Sequence, residues 1–286
     1  MDGERGQDMS EALVLGGGGV AGIAWITGLL AGLAEAGQDV TGAGLLVGTS
    51  AGATVAAQLG SGLSLEELYA RQADPARQSP ELMAELDMEA LGARMAAALG
   101  DTTTFTEMRR AIGGFSLAAD TVSEPERRAV IEGRLPSHEW PERALKIVAV
   151  DAETGEPRVF DNSSGVGLVD AVAASCAVPG IWPPATIEGH RYVDGGVRSA
   201  VNADYAAGAS RVLLILPLGQ DEPLASEKPL AEALADLRAA GAEIAILEPD
   251  ETSLAAIVTN PLDPASRTPA AEAGRAQGRT AKLNWS

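Results

Sequence analysis

The sequence predicts an α/β fold built on a mainly parallel sheet with crossover helices. Three observations carry this. The N-terminal part alternates apolar runs and glycine-marked breaks in the order strand, loop, helix, strand, turn, helix, the opening of a parallel sheet. Two later apolar runs, Arg211 to Leu216 and Ala242 to Leu247, read as buried strands with a helical stretch, Ala231 to Ala240, between them. Hydrophobic residues make up 46% of the 286 residues but aromatics only 3%, so the core is aliphatic and Ala-rich, with ample length to bury it.

In order, Ala12 to Leu15 is a short strand that stops at Gly16-Gly17-Gly18-Gly19. Helical spacing runs from Val20 to Glu35, with Gly37 as its stop. Gly44-Leu45-Leu46-Val47 is the second strand, and the small-residue run Ala53 to Ala57 opens the next helix. Residues 61–140 read as an amphipathic helical insertion beside or over the sheet. It carries Met83, Met88, Met95 and Met108, with Leu82, Leu86, Leu91, Met95 and Leu99 at helical intervals. Such a stripe is expected to be core, although methionine surfaces also suit irregular acyl chains. Thr102-Thr103-Thr104 and Gly113-Gly114 interrupt the helices as expected hinges. Strand signals return at Ala144 to Val150 and Pro157 to Phe160, joined by a turn at Glu153 to Glu156. A helix follows over Leu168 to Ser175, then a proline-marked loop, a tight hairpin around Gly189, and helical character from Asp263 onward. With no repeat or linker, residues 12–286 read as one domain behind a flexible, charged N-terminus, 1–11.

Lysine plus arginine total 21 against 40 acidic residues, a net charge of −19. That argues against nucleic acid as a partner and against docking on anionic lipid, but not against neutral or zwitterionic lipid. The single cysteine, Cys176, allows no intramolecular disulfide and lies in an apolar stretch, so it is expected to be a buried small hydrophobe. No apolar run is long enough for a transmembrane helix, and Met1 to Glu11 lacks a signal-peptide core; a cytoplasmic protein is the expectation. Nothing in the sequence sets an oligomeric state.

Three motifs carry chemistry. Gly48-Thr49-Ser50-Ala51-Gly52 is a G-x-S-x-G elbow in its required strand–turn–helix setting, which pushes the Ser50 hydroxyl out at a strand end. Gly17-Gly18-Gly19-Val20-Ala21-Gly22 matches G-x-G-x-x-G. It reads either as a dinucleotide loop, which needs an acid at the end of the second strand, or as an anion nest at a helix N-terminus. The second strand ends in Gly48-Thr49-Ser50, and Asp39 precedes it, so the nest is preferred. A serine needs a base. Only His138 and His190 are available, and neither follows a suitable acid at a late strand end; both read as surface residues. Tyr192-Val193-Asp194-Gly195-Gly196 instead puts a carboxylate at a strand end.

On these three motifs, their order, and the stretch Ala174 to Gly180, the chain resembles a patatin-like phospholipase or esterase of the bacterial type over residues 12 to about 260. The resemblance implies a three-layer α/β/α sandwich and hydrolysis of lipid acyl esters without metal or cofactor. It implies Ser50 as nucleophile, Asp194 as proton acceptor, and Gly17, Gly18 and Gly19 as oxyanion hole, supported by Gly22, Gly48, Gly52, Gly195 and Gly196. Many relatives carry Arg or Lys where this chain has Ala21, a departure that tilts the expectation from phospholipid toward neutral esters. Two other classes are a non-catalytic or partner-activated acyl-binding protein of the same fold and, more remotely, a dinucleotide-binding oxidoreductase.

Overall fold

The computed structural model describes residues 10–84, 88–221, 224–257 and 260–286. Leu86 of the apolar stripe and most of the N-terminal segment lie outside them. One mixed sheet organises the chain. Strands β1 (Glu11–Leu15), β2 (Leu45–Gly48), β3 (Ala144–Asp151), β7 (Arg211–Ile215) and β8 (Glu243–Leu247) run parallel. Strands β4 (Pro157–Phe160), β5 (Ala185–Ile187) and β6 (His190–Asp194) are antiparallel to their neighbours. The order is β5-β6-β3-β2-β1-β7-β8, with β4 paired to β3.

The strand side chains alternate between two faces, as period 2 requires. Leu13, Leu15, Leu46, Leu213 and Ile215 pack with helices α1 (Gly19–Glu35), α2 (Ala51–Leu59) and α7 (Leu168–Ser175). Ala12, Val14, Leu45, Val47, Val212 and Leu214 pack with α8 (Leu230–Ala239) and the turn 201–209 on the other face. This is the three-layer α/β/α sandwich. Helix α1 is buried along most of its length because α10 (Arg267–Thr280) lies across its outer side. Small residues allow that approach: a Cβ on Gly28 would come within 2.1 Å of the Ala271 carbonyl oxygen.

The insertion consists of α3 (Leu65–Ala73), α4 (Met88–Leu99), α5 (Phe105–Leu117) and α6 (Glu124–Arg134). Ser64, Thr104 and Ser123 start three of them with capping boxes to Glu67, Glu107 and Glu126. Two expectations are corrected here. The methionine–leucine stripe is not core: among the described side chains of α4 none is buried, and Met83 is 63% exposed. The stripe has too little sheet beneath it; Leu99 and Met108 are only half-buried, against the small cluster around Ile112 and Val150. The Gly113-Gly114 pair is no hinge. It lies inside α5, where a Cβ on Gly113 would meet the Ala152 carbonyl oxygen at 2.0 Å, so the glycine seats the helix on the end of β3. Thr104 is likewise the cap that starts α5.

The register explains how the two halves of the site meet. On β3, Ile147 pairs with both Gly48 and Phe160, and Ala149 with both Arg158 and Asp194. Since β4 occupies one edge, β2 and β6 share the other. They run in opposite senses, so their C-terminal ends point at each other with one residue of β3, Val148, between them.

Candidate active site

Ser50 stands two residues beyond the end of β2, at φ 52 and ψ −111. A serine with positive φ carries strain of about 1–3 kcal/mol, which the surroundings must offset. They do so by packing and hydrogen bonding. A Cβ on Gly52 would sit 1.9 Å from the Leu15 carbonyl oxygen, so only glycine lets α2 start this close to β1. Gly52 N donates to Thr49 O (2.9 Å) and Gly16 O (3.1 Å). The end of α7 holds the other side: Ser50 N donates to Ser175 Oγ at 2.9 Å, and Cys176 Sγ to Ser50 O at 3.3 Å. Cys176 is buried as expected, and it also acts as a polar clamp on the elbow.

Asp194 closes β6 from the opposite direction. Its N–H donates to Ala177 O at 3.0 Å, and its Oδ1 accepts from Gly196 N at 2.7 Å. A Cβ on Gly195 would lie 2.3 Å from Val148 O, so the chain turns away hard against β3. Burial pushes the Asp194 carboxyl up from 3.8 to about 6, against the lowering influence of the Ser50 hydroxyl, the Gly196 N–H and the Arg127 charge. Ser50 is thus near enough to influence the carboxyl as a hydrogen-bond donor, yet Asp194 Oδ2 is buried without a hydrogen-bond partner. Such bonds commonly tighten only when substrate is bound.

The glycine loop lies against the elbow. A Cβ on Gly17 would be 3.8 Å from Ser50 Cβ. One candidate donor is corrected by its bonding: Gly17 N donates to Ala200 O at 2.9 Å and is not free for a ligand. Among the described residues the Gly18 and Gly19 amides, at the start of α1, have no acceptor, and neither has Ala51 N at the start of α2. Gly22 supports the loop through Gly22 N to Gly18 O, 2.8 Å. Asp39, the only acid at dinucleotide spacing, spends its Oδ1 on Thr41 N (2.9 Å) and Thr41 Oγ1 (2.7 Å) in the turn before β2.

Sequence reasoning missed Asn202. It is fully buried at φ 55, and its amide donates to Ser199 O (2.7 Å), Thr49 Oγ1 (3.0 Å) and Gly195 O (3.3 Å). It therefore ties the elbow to the Asp194 turn. An asparagine in a polar stretch after a glycine pair gave no signal of this. Also missed were the groups around the chamber in front of Ser50, which is small, about 10 Å³, and walled by Arg127 and Arg134 of α6, Trp182 and Leu262. His138 and His190 do not line it; His190 Nδ1 pairs with Asp151 Oδ2 at 3.1 Å on the surface. Among the described residues no group of three or more His, Cys, Asp or Glu is placed to hold a metal ion, and no helix is long and apolar enough to cross a membrane.

A strained serine between strand and helix, with a buried carboxylate at the same sheet edge, marks the class of α/β/α proteins with a strand–serine–helix elbow. Within that class the chain belongs to the patatin-like phospholipase family, whose family model matches residues 13–207, more than half of its length. Among solved structures it is similar to VipD from Legionella pneumophila, at 15% identity and a TM-score of 0.41 over 76% of this chain and 52% of that one. It is also similar to the type III effector protein ExoU, at 16% identity and a TM-score of 0.37 over 95% of this chain and 54% of that one. The chain thus spans about half the length of each.

Proposed function

We propose that this protein is a serine hydrolase that cleaves acyl esters of lipids by a Ser50–Asp194 dyad. The observation that carries the reading is the meeting of the strained Ser50 with a buried carboxyl whose pKa is raised to about 6. At that pKa Asp194 is mostly ionised at neutral pH, yet a better base than an ordinary aspartate. Ser50 Oγ attacks the ester carbonyl while its proton passes to Asp194 Oδ2, the carboxylate atom that has no other partner. The oxyanion is received by the free amides of Gly18, Gly19 and Ala51, aided by the N-terminal dipole of α1. The tetrahedral intermediate collapses, the alcohol leaves with the proton, and an acyl-Ser50 remains. Asp194 then takes a proton from water, whose oxygen attacks the acyl carbon. Collapse returns the proton to Ser50 and releases the acid.

The deciding experiment is covalent labelling with a fluorophosphonate. Wild type labels, Ser50→Ala does not; labelling that survives the substitution removes Ser50 as nucleophile. The rate profile falls on the acid side, with a midpoint near the Asp194 value of about 6; a profile flat down to about pH 3, below an ordinary aspartate pKa, overturns Asp194 as base. The partner-activated reading draws on one observation, the chamber's volume of about 10 Å³, room for about one water. A chain that labels only after a partner or lipid surface is added supports it. An oxidoreductase instead binds NADH in titration, and the local engagement of Asp39 speaks against that.

A further inference from the structure

A cluster of buried charge adjoins the reaction chamber, and the mechanism does not use it. Glu81 stands in the irregular stretch between α3 and α4, with its side chain only 2% exposed. Its Oε1 accepts from Arg127 Nη1 at 2.9 Å; its Oε2 accepts from Arg134 Nε at 3.0 Å and Arg267 Nη2 at 3.1 Å. All three arginines are buried. Burial alone raises the Glu81 pKa, but the charges of Arg134 and Arg127 outweigh it and hold the carboxyl below its usual range.

Three features separate this cluster from an ordinary structural ion pair. Three guanidiniums face the Glu81 carboxylate, and Asp194 is the second buried carboxyl that feels Arg127, so positive charge is still left over in a dry place, where charge is normally paired. Donors are also left over: Arg127 Nε and Trp182 Nε1 are buried with no acceptor, and the Arg127 guanidinium lies 4.0 Å above the Trp182 ring. Both side chains wall the Ser50 chamber, as does Arg134. Finally, Glu81 is the tether of its own segment. Among the described residues, the only hydrogen bonds and ion pairs of residues 80–84 are those of the Glu81 carboxylate. The glycine loop has no cation, since Ala21 stands there, and α6 brings two to the same chamber.

Resting on the dyad reading above, we propose that Glu81 is a displaceable internal anion: on Arg127 and Arg134 it holds the place taken by an anionic group of the substrate, and its release enlarges the chamber in front of Ser50. The ligand class is an acyl ester carrying a phosphate a few bonds from the scissile carbonyl. Arginine is suited to that group because its planar fork matches phosphate oxygens. This reverses the tilt toward neutral esters that Ala21 suggested.

The test uses the full chain and two monomeric substrates with the same acyl group, p-nitrophenyl butyrate and dibutyryl glycerophosphate, with inorganic phosphate as inhibitor against chloride at equal ionic strength. Phosphate is expected to inhibit wild type beyond the chloride control, and the phosphate-bearing ester to be preferred. In Glu81→Gln, hydrolysis of the neutral ester rises and phosphate inhibition tightens, each by about tenfold, the worth of one charge-assisted hydrogen bond. In Arg127→Gln the preference for the phosphate-bearing ester falls by about the same factor. A folded Glu81→Gln protein, checked by circular dichroism melting, with both constants unchanged or reduced, overturns the proposal. If either variant fails to fold, wild type still decides: phosphate no more inhibitory than chloride overturns it, and inhibition without preference for the phosphate-bearing ester overturns the assignment to substrate. Fluorophosphonate labelling that survives Ser50→Ala instead strikes the dyad reading, so the two failures are distinguishable.

Discussion

The two walls of the reaction chamber are built on different principles. The sheet-side wall carries Gly19, Ser50 and Ala51; it and the neighbouring Asp194 turn are fixed by close backbone approaches and by buried, satisfied hydrogen bonds with Ser175, Cys176 and Asn202. The insertion-side wall is held by charge: Glu81 against Arg127, Arg134 and Arg267, beside a helix α4 that buries none of its described side chains. The first arrangement resists displacement, because close-packed backbone has no neighbouring minimum. The second rests on one carboxylate, whose exchange for another anion would need little backbone repacking. The dyad proposed above thus stands on the rigid side, and the anion proposed to give way to substrate stands on the replaceable side.

The largest expected effect tests the rigid side. Asp194→Asn removes the proposed proton acceptor but keeps an oxygen for the Gly196 N–H, so turnover is expected to drop about 10³-fold, within the usual range for loss of a general base. The same change is stabilising at neutral pH. The wild-type carboxyl has a folded pKa of about 6, above the ordinary aspartate value of 3.8. The folded state therefore binds the proton more tightly than the unfolded chain, and this group's contribution to stability is full below about pH 4 and lost as pH rises through about 6. The shift corresponds to about 3 kcal/mol for this buried group. Melting curves at pH 4 and pH 8 should show Asp194→Asn gaining on wild type at the higher pH; equal gaps at both would remove the raised pKa.

Gly52→Ala comes next. Its methyl group would need space held by the Leu15 carbonyl, 1.9 Å away, so α2 must shift from β1, with a stability loss of about 3 kcal/mol, typical of severe overpacking. Chemical denaturation reads this directly. A tolerated alanine would mean that the elbow is less rigid than the comparison holds. Asn202→Ala is smaller, about 2 kcal/mol, because it leaves three buried acceptors short of a donor. It also frees the Asp194 turn from the elbow, so kcat should fall more than KM rises; a change in KM alone would make Asn202 a mere packing residue.

How much of this was legible in the sequence follows the same division. The sheet side was readable because each part has a local signature. Glycine spacing marks the elbow, and the strand β4 and helix α7 fall on the residues that periodicity assigns, Pro157–Phe160 and Leu168–Ser175. Glu188 and Gly189 both take positive φ, as a tight hairpin there demands. The insertion side was not readable. A Met–Leu stripe at helical spacing looks the same whether it covers a sheet or is only half-covered at the surface, and Leu91, Met95 and Leu99 of α4 are half-buried. The Glu81 cluster joins residues 81, 127, 134 and 267, and no local pattern links them. The bonding of the Gly17 amide to Ala200 is equally non-local, so the run of glycines and the family resemblance that counted it among the donors carried no sign of it.

The smallest expected effect guards the largest. A rate profile with a midpoint near pH 6 invites assignment to histidine, since histidine as a residue type titrates in that window. Both histidines of the chain are remote from the chamber wall: His190 is 61% exposed and bonded to Asp151, and His138 is 48% exposed beside Glu132. The double change His138→Ala with His190→Ala should therefore leave kcat/KM within about twofold, the range of surface substitutions worth no more than ~0.5 kcal/mol, and leave the midpoint in place. With no histidine left in the chain, an acid limb that persists belongs to a carboxyl, and one that then disappears in Asp194→Asn belongs to Asp194. If the limb vanishes with the histidines instead, the rigid wall holds the nucleophile but not its base, and the division between the two walls must be redrawn.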